Sequence, residues 1–146
     1  MADPQVTQFI GGPRSRDMTM DSVAKMHGAF ETRGWGTLAV LTKSTRDYIG
    51  YCGVRPLTNT TDVEVAFAIK SSTWGNGYAT EAATAAIDNA FKHLPIQRIL
   101  ATVYHQNSAC IRVLTKLGMT LTREVFGVWP HDLALLYSLE RRKKFD

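Results

Sequence analysis

The chain has 146 residues, 45% of them hydrophobic and 21% charged, a size and balance that suit one soluble domain with its own core. Seventeen basic against thirteen acidic side chains leave a net charge of +4, and four of the positive charges, Arg141, Arg142, Lys143 and Lys144, form a terminal cluster read as a solvated end. So small an excess argues against nucleic-acid binding, and no apolar run reaches the ~18–20 residues of a membrane span. The opening residues lack the basic and apolar regions of a signal peptide. Two cysteines, Cys52 and Cys110, make no disulfide framework, and no CxxC, HExxH or clustered His/Cys spacing marks a metal site. The expectation is a cytoplasmic, metal-free single domain over residues 1–146.

The opening segment ends in a turn at Gly11-Gly12-Pro13. Residues 15–33 have helical character, with Met18, Val23, Met26 and Phe30 able to share a face and Gly34 as the stop. Residues 35–42 and 48–54 read as a hairpin joined by a polar turn, and a second turn at 59–62 leads into a strand at 63–69. Alternation in that strand puts Val63, Val65, Phe67 and Ile69 on one face and Glu64, Ala66 and Ala68 on the other.

The clearest helix follows Trp74-Gly75-Asn76-Gly77. Ala79, Ala82, Ala83, Ala86, Ile87, Ala90 and Phe91 form its apolar stripe, and Pro95 closes the region. Residues 98–104 read as a strand. Residues 107–117 read as a helix with Cys110, Val113, Leu114 and Leu117 inward and Gly118 where a C-cap belongs. Strands near 121–126 and 133–138 complete the order α, β, β, β, α, β, α, β, β, an α/β or α+β domain with a mixed sheet.

A strand, a loop with two glycines and then a helix is the arrangement that binds anions. Glycines permit backbone conformations that larger residues resist, and the first-turn amides of the helix are unpaired, with the positive end of its dipole behind them. A Walker loop would end in Gly-Lys-Ser/Thr, and a dinucleotide GxGxxG would need glycine at position 80, where this chain has Thr80. What is left is a loop for another kind of anion, or a tight turn whose glycines serve geometry alone.

The run from Trp74 through Gly75, Asn76, Gly77, Tyr78, Ala79 and Thr80 to Glu81 and Ala82 resembles the acyl-CoA pyrophosphate loop of the GNAT superfamily of N-acetyltransferases. That loop is usually written Gln/Arg-x-x-Gly-x-Gly/Ala. In particular it is similar to the branch that acetylates ribosomal-protein N-termini, the Rim-like enzymes, where a tryptophan at the first position is common. The resemblance extends to residues 63–69, to residues 98–103, and to 107–119, which follow the pattern Asn-x-x-Ser-x-x-Val-Leu-x-Lys-Leu-Gly-Phe with Cys110 in place of the serine. Together these segments cover most of residues 3–138 in the family's order. The resemblance implies a mixed, mostly antiparallel sheet with helices on both faces. It also implies an initial strand and helix ahead of the segment matching residues 3–10; both are expected to be missing here, by truncation or with a partner completing the sheet edge.

Acetyl transfer to an amine needs a neutral nucleophile, a donor to the oxyanion and often a proton for the leaving thiolate. Neutralising an α-amine of pKa near 8 at pH 7 costs about 1.4 kcal/mol, against about 4.6 kcal/mol for a lysine. A modest base acting through water therefore suffices for an N-terminal substrate. Glu64, on the face of its strand opposite the apolar row, is the chosen base; Rim-like proteins often carry a glutamate there. Its alternative is a salt-bridged strand residue, and Glu124 and Tyr104 are the reserves.

The resemblance further implies that the backbone of Phe67, Ala68 and Ile69 pairs with the pantetheine arm. It implies a hydrogen bond from Asn107 to the same arm, beside the N-cap role that asparagine alone explains. Cys110 stands where a serine hydroxyl lies near the leaving sulfur. It could donate a proton, as could Tyr104, but packing is the simpler reading of a buried thiol, and an acyl-enzyme is disfavoured because His105 is the only histidine near it in sequence. His27, His93 and His131 are isolated. Trp35, Phe126 and Trp129 fit either an acceptor pocket or the core.

The resulting expectation is an N-acetyltransferase that moves an acetyl group from acetyl-CoA to a primary amine, first of all a protein N-terminus, by direct attack in a ternary complex. Acetyl-CoA and the amine acceptor are its partners, and a homodimer is left open. The competing readings are a non-catalytic acyl-CoA-binding module and an enzyme for polyamines or antibiotics.

Overall fold

A computed structural model describes residues 2–126 and 133–142. The elements run α1 (Pro4–Thr7), α2 (Arg16–Arg33), β1 (Thr37–Leu41), β2 (Tyr48–Pro56), β3 (Val63–Ile69), a 3-10 turn (Ser71–Thr73), α3 (Tyr78–His93), β4 (Arg98–Tyr104), α4 (Ser108–Lys116), β5 (Thr120–Phe126) and β6 (Leu133–Glu140). Every expected helix and strand is present. The addition is α1, whose signal is Asp3-Pro4: the Asp3 carboxylate accepts from the Gln5 amide at 3.0 Å, and proline fills the first turn, where its missing N–H costs nothing.

Six strands form one sheet in the order β1-β2-β3-β4-β6-β5. All neighbours are antiparallel except β3 and β4. Alternation decides the core. Cys52 and Val54 of β2 stand opposite Phe67 and Val65 of β3, while Ile99, Ala101 and Val103 of β4 stand opposite Leu139, Tyr137 and Leu135 of β6. These side chains form the main hydrophobic cluster with Ala83, Ile87 and Ala90 of α3 and Leu114 of α4. The small alanines on the inner face of α3 let it lie close on β2 and β3, where its contacts are made.

Three expectations need correction. No residue of α2 is buried; Met18 and Val23 are more than half exposed, because the apolar residues of this helix do not gather into one stripe. Phe126 is 90% exposed at the end of β5, so it belongs neither to a pocket nor to the core. Arg141 is not a solvated tail residue: its guanidinium donates to Leu94 O at 2.6 Å and Ile96 O at 2.8 Å and lies over the Phe91 ring, tying down the chain that leaves α3. Trp35 packs against the core with the Arg33 guanidinium over its ring, whereas Trp129, His131, Lys143 and Lys144 lie outside the described residues. Among the described residues no helix is long and apolar enough to cross a membrane.

Candidate active site

The site begins where two strands part. β3 pairs with β2 over seven residues and β4 pairs with β6 over seven, yet β3 and β4 meet at one position, Glu64 opposite Leu100. The join is reinforced at its base: Arg98, the first residue of β4, makes a two-pronged ion pair with Asp62 just before β3, at 3.0 and 2.9 Å. Hydrogen bonding to Arg98 holds the Asp62 carboxyl below its ordinary pKa. Beyond this clasp the ladder between the two strands stops, and the end of β3 has backbone groups with no strand beside them.

A cavity of about 520 Å³ opens there. Its walls are Phe67, Ala68 and Ile69 of β3, the loop leading into α3 and the first turn of that helix, and the near face of α4 from Gln106 to Lys116. Part of the N-terminal segment, including Gln5, Val6 and Phe9, closes another side. That segment is anchored through Asp3, whose carboxylate also accepts from the Ser71 hydroxyl and amide. The hydrogen bond from Ser71 is the main cause of a lowered Asp3 pKa.

The loop is built to turn its carbonyls inward. The Trp74 indole N–H donates to Ile69 O at 2.8 Å, and the Asn76 carboxamide donates to Thr73 O at 2.9 Å and Trp74 O at 3.2 Å. Gly77 takes a left-handed conformation, φ 76°, immediately before α3. A Cβ there would meet no neighbour within 4 Å, so glycine is needed for its backbone angle and not for space. No side chain caps the helix, and its first bond runs from the Glu81 N–H to Gly77 O at 3.0 Å. The amides of Tyr78, Ala79 and Thr80 are therefore left without an intrahelical acceptor, beside a cavity whose lining contains no carboxylate.

Opposite this loop, Asn107 caps α4: its Oδ1 accepts from the Cys110 amide at 3.1 Å, leaving its Nδ2 outside the cap. The Cys110 side chain is largely buried, and burial pushes its thiol pKa up to about 12. An ordinary thiolate has a pKa near 8.5, so protonating one from Cys110 runs uphill by roughly three pK units, or about 4 kcal/mol. Cys110 packs and offers at most a weak hydrogen bond.

Glu64 stands apart from the lining. It is 8% exposed, and its Oε1 accepts from Arg55 Nε at 2.8 Å across the β2–β3 ladder. Tyr104, at the far end of β4, is also absent from the lining. Glu64 pairs with Leu100, and Tyr104 follows Leu100 by four residues in the strand, so both project from the sheet face opposite the α3 core. Glu124 is exposed on β5. Of the residues expected at the site, the fold brings together 67–69, most of 74–80, Asn107 and Cys110 around one cavity. Asn76 holds its own loop together instead of facing the cavity.

Residues 1–120 match the family model for the acetyltransferase (GNAT) domain. The chain belongs to the GNAT acetyltransferase family. It is similar to YkkB of Bacillus subtilis (strain 168), with 30% identity over 84% of this chain and 73% of that protein. Among solved structures, a GNAT-family acetyltransferase from Bacillus anthracis superposes with a TM-score of 0.82 at 24% identity, covering 95% of this chain and 83% of that one. The yncA protein of Salmonella typhimurium, determined with its cofactor acetyl-CoA, superposes with a TM-score of 0.76 at 20% identity, covering 97% and 84%. The acetyltransferase fold places its missed features, the walls from the N-terminal segment and from Arg112 and Lys116, beside elements that the sequence did reveal. The signal for the two basic residues was their i, i+4 spacing on α4.

Proposed function

We propose that this acetyltransferase transfers an acetyl group from acetyl-CoA to a primary amine, with a protein N-terminal α-amine as the first acceptor class. The observation that carries the reading is the coincidence of uncapped α3 amides with the parting of β3 and β4. The amides of residues 75–80 would receive the diphosphate, and the free edge of Phe67 to Ile69 would pair with the amide-bearing pantetheine arm as an added strand pairs with a sheet edge. A backbone N–H of that edge, aimed at the thioester oxygen, would stabilise the oxyanion.

The amine approaches through the gap from the face that bears Glu64 and Tyr104 and attacks the thioester carbon directly. The C–N bond forms, the C–S bond breaks, and the amine's proton passes to Glu64 through water. Arg55 competes for that carboxylate, so the base is available from one oxygen only. Tyr104, on the same face, is the proposed proton source for the departing thiolate. Cys110 is the lesser donor, since its proton is held too tightly. The N-terminal preference rests on the likeness of residues 63–82 and 107–119 to the Rim-like pattern, and on the modest base that an α-amine requires.

The test is release of free CoA with N-terminal peptides, polyamines and aminoglycosides, on the native chain and on Glu64→Gln. Peptides are expected to be the best acceptors, and the variant to lose about 10²-fold in kcat at pH 7. Equal rates for the two proteins would remove Glu64 from the mechanism. Tight acetyl-CoA binding with no CoA release for any amine would favour a non-catalytic binding module.

A further inference from the structure

The face of the sheet turned away from α3 carries a charge cluster outside the cavity lining. In β2, Cys52 and Val54 point into the core, so Tyr51, Gly53 and Arg55 point the other way, and the register sets them opposite Ala68, Ala66 and Glu64 of β3. One end of this double row reaches Ala68, a wall of the cavity, and the other ends at the Arg55–Glu64 pair. Between the ends stand a glycine and an alanine, so no bulky side chain of these two strands separates Tyr51 from Arg55. The Arg55 guanidinium is held by one nitrogen: Nε donates to Glu64 Oε1 at 2.8 Å, while the side chain stays 51% exposed. Its two Nη groups have no acceptor among the described residues. A second cation lies close by. Burial raises the pKa of Tyr51, and the positive charges of Arg55 and Arg14 both oppose that rise, so both guanidiniums stand near this phenol. Arg14 donates to the Ser22 hydroxyl at 3.0 Å and has no carboxylate within ion-pair distance among the described residues. Of the three charged groups, two arginines against one glutamate leave a positive charge in excess.

We infer that Arg55, assisted by Arg14, receives a carboxylate carried close to the acceptor amine, so that the enzyme prefers acidic acceptors to neutral or polycationic ones. This rests on the proposed reading, in which the amine enters on the Glu64 face, and it names the class of acceptor. Proton transfer to Glu64 through one water puts the amine about 5–6 Å from that carboxylate, two hydrogen bonds away. Each residue of an extended peptide spans about 3.3–3.6 Å, so an acidic side chain at the second or third position reaches the Arg55 fork. With Nε committed to Glu64, the two Nη groups present the parallel donors that match a carboxylate. The ion pair with Glu64 holds that fork in place before the acceptor arrives, so binding costs less side-chain freedom. A second ammonium on the acceptor meets the same excess charge and is disfavoured.

The test is kcat/KM for CoA release with two peptides that differ only in glutamate or glutamine at the second and third positions. It is run on the native chain, R55Q, R55K and R14Q, with circular dichroism to check each fold. The ratio between the peptides cancels any general loss of rate when Arg55 no longer holds Glu64. Native protein is expected to favour the glutamate peptide about tenfold, and less as salt is raised. R55Q should bring the ratio near one and R55K should restore part of it, while R14Q lowers it about threefold and leaves the glutamine peptide little changed. Free glutamate and free glutamine, offered as acceptors, separate the two sources of the carboxylate. Arg55-dependent acetylation of both, faster than of either peptide, supports the anion site and assigns it to the α-carboxylate of a small acceptor. Equal native rates for the two peptides, with no acetylation of the free amino acids, overturn the inference and leave the acetyltransferase reading intact. A tenfold preference that survives in R55Q overturns it too, since Arg55 then serves Glu64 alone. If no acceptor releases CoA, the inference and the reading beneath it fall together.

Discussion

Cys110 shows how a residue's surroundings decide between roles that its chemistry leaves open. In water a thiol near pKa 8.5 suits both proton donation and nucleophilic attack. Here burial pushes it up to about 12, and burial likewise holds Cys52 at about 11, so both thiols stay protonated at neutral pH. The sign for stability follows: the folded chain keeps protons that the unfolded chain releases above pH ~8.5, so these sites erode stability as pH rises through and beyond that point. Alkylation by iodoacetamide at pH 8 is expected to be roughly a thousandfold slower in the native protein than after unfolding in urea. Native-state labelling at the rate of a free thiol would contradict this environment for Cys110. At this scale the glycine loop was legible because Gly75 and Gly77, both at positive φ, announce its backbone. The role of Asn76 was not, since only the folded loop shows that its amide turns inward to two carbonyls. Nor does sequence reveal that Arg55, nine residues upstream, holds Glu64 across a ladder.

Among the elements, β3 matters most because one of its edges is fully paired and the other released. Its position depends on how closely β2 approaches. A Cβ on Gly50 would lie 2.0 Å from Ala68 O and 2.9 Å from the Ile69 Cα, both in the stretch that walls the cavity. Gly50 also has φ 154°, outside the range that a side chain adopts comfortably. Gly50→Ala is therefore expected to cost about 3 kcal/mol and to shift the end of β3. Urea unfolding would register the loss as a lower midpoint; an unchanged midpoint would show that β2 and β3 are not so tightly apposed. Periodicity recovered β3 and α3 because each has one buried face of its own. It failed for α2, where helical propensity forms a helix without an apolar stripe to bury, and for α1, a single turn too short to carry a period. A free edge at Phe67 to Ile69 was expected from family likeness alone, through the pairing with the pantetheine arm that it implies. The clasp between Arg98, at the start of β4, and Asp62, just before β3, fixes where the two strands join.

Viewed whole, the molecule is a six-stranded sheet interrupted at its centre, with an uncapped helix and a basic helical column flanking the interruption. The α/β order and the core residues of β2, β3, β4 and α3 were readable because the same side chains repeat at the periods of strand and helix. The cavity's outline was less so, since it draws on segments at residues 5–10, 67–80 and 106–116 that converge only after folding. In the proposed reading, the backbone amides at the start of α3 hold the diphosphate of acetyl-CoA. The direct measurement is a titration of the isotopically labelled protein with CoA, followed by amide chemical shifts. The claim predicts that the amides of Gly75, Gly77, Tyr78, Ala79 and Thr80 move together and saturate, with smaller changes at Phe67 to Ile69. Saturating CoA that leaves the residue 75–80 amides unmoved, while shifting those of another region, would contradict it.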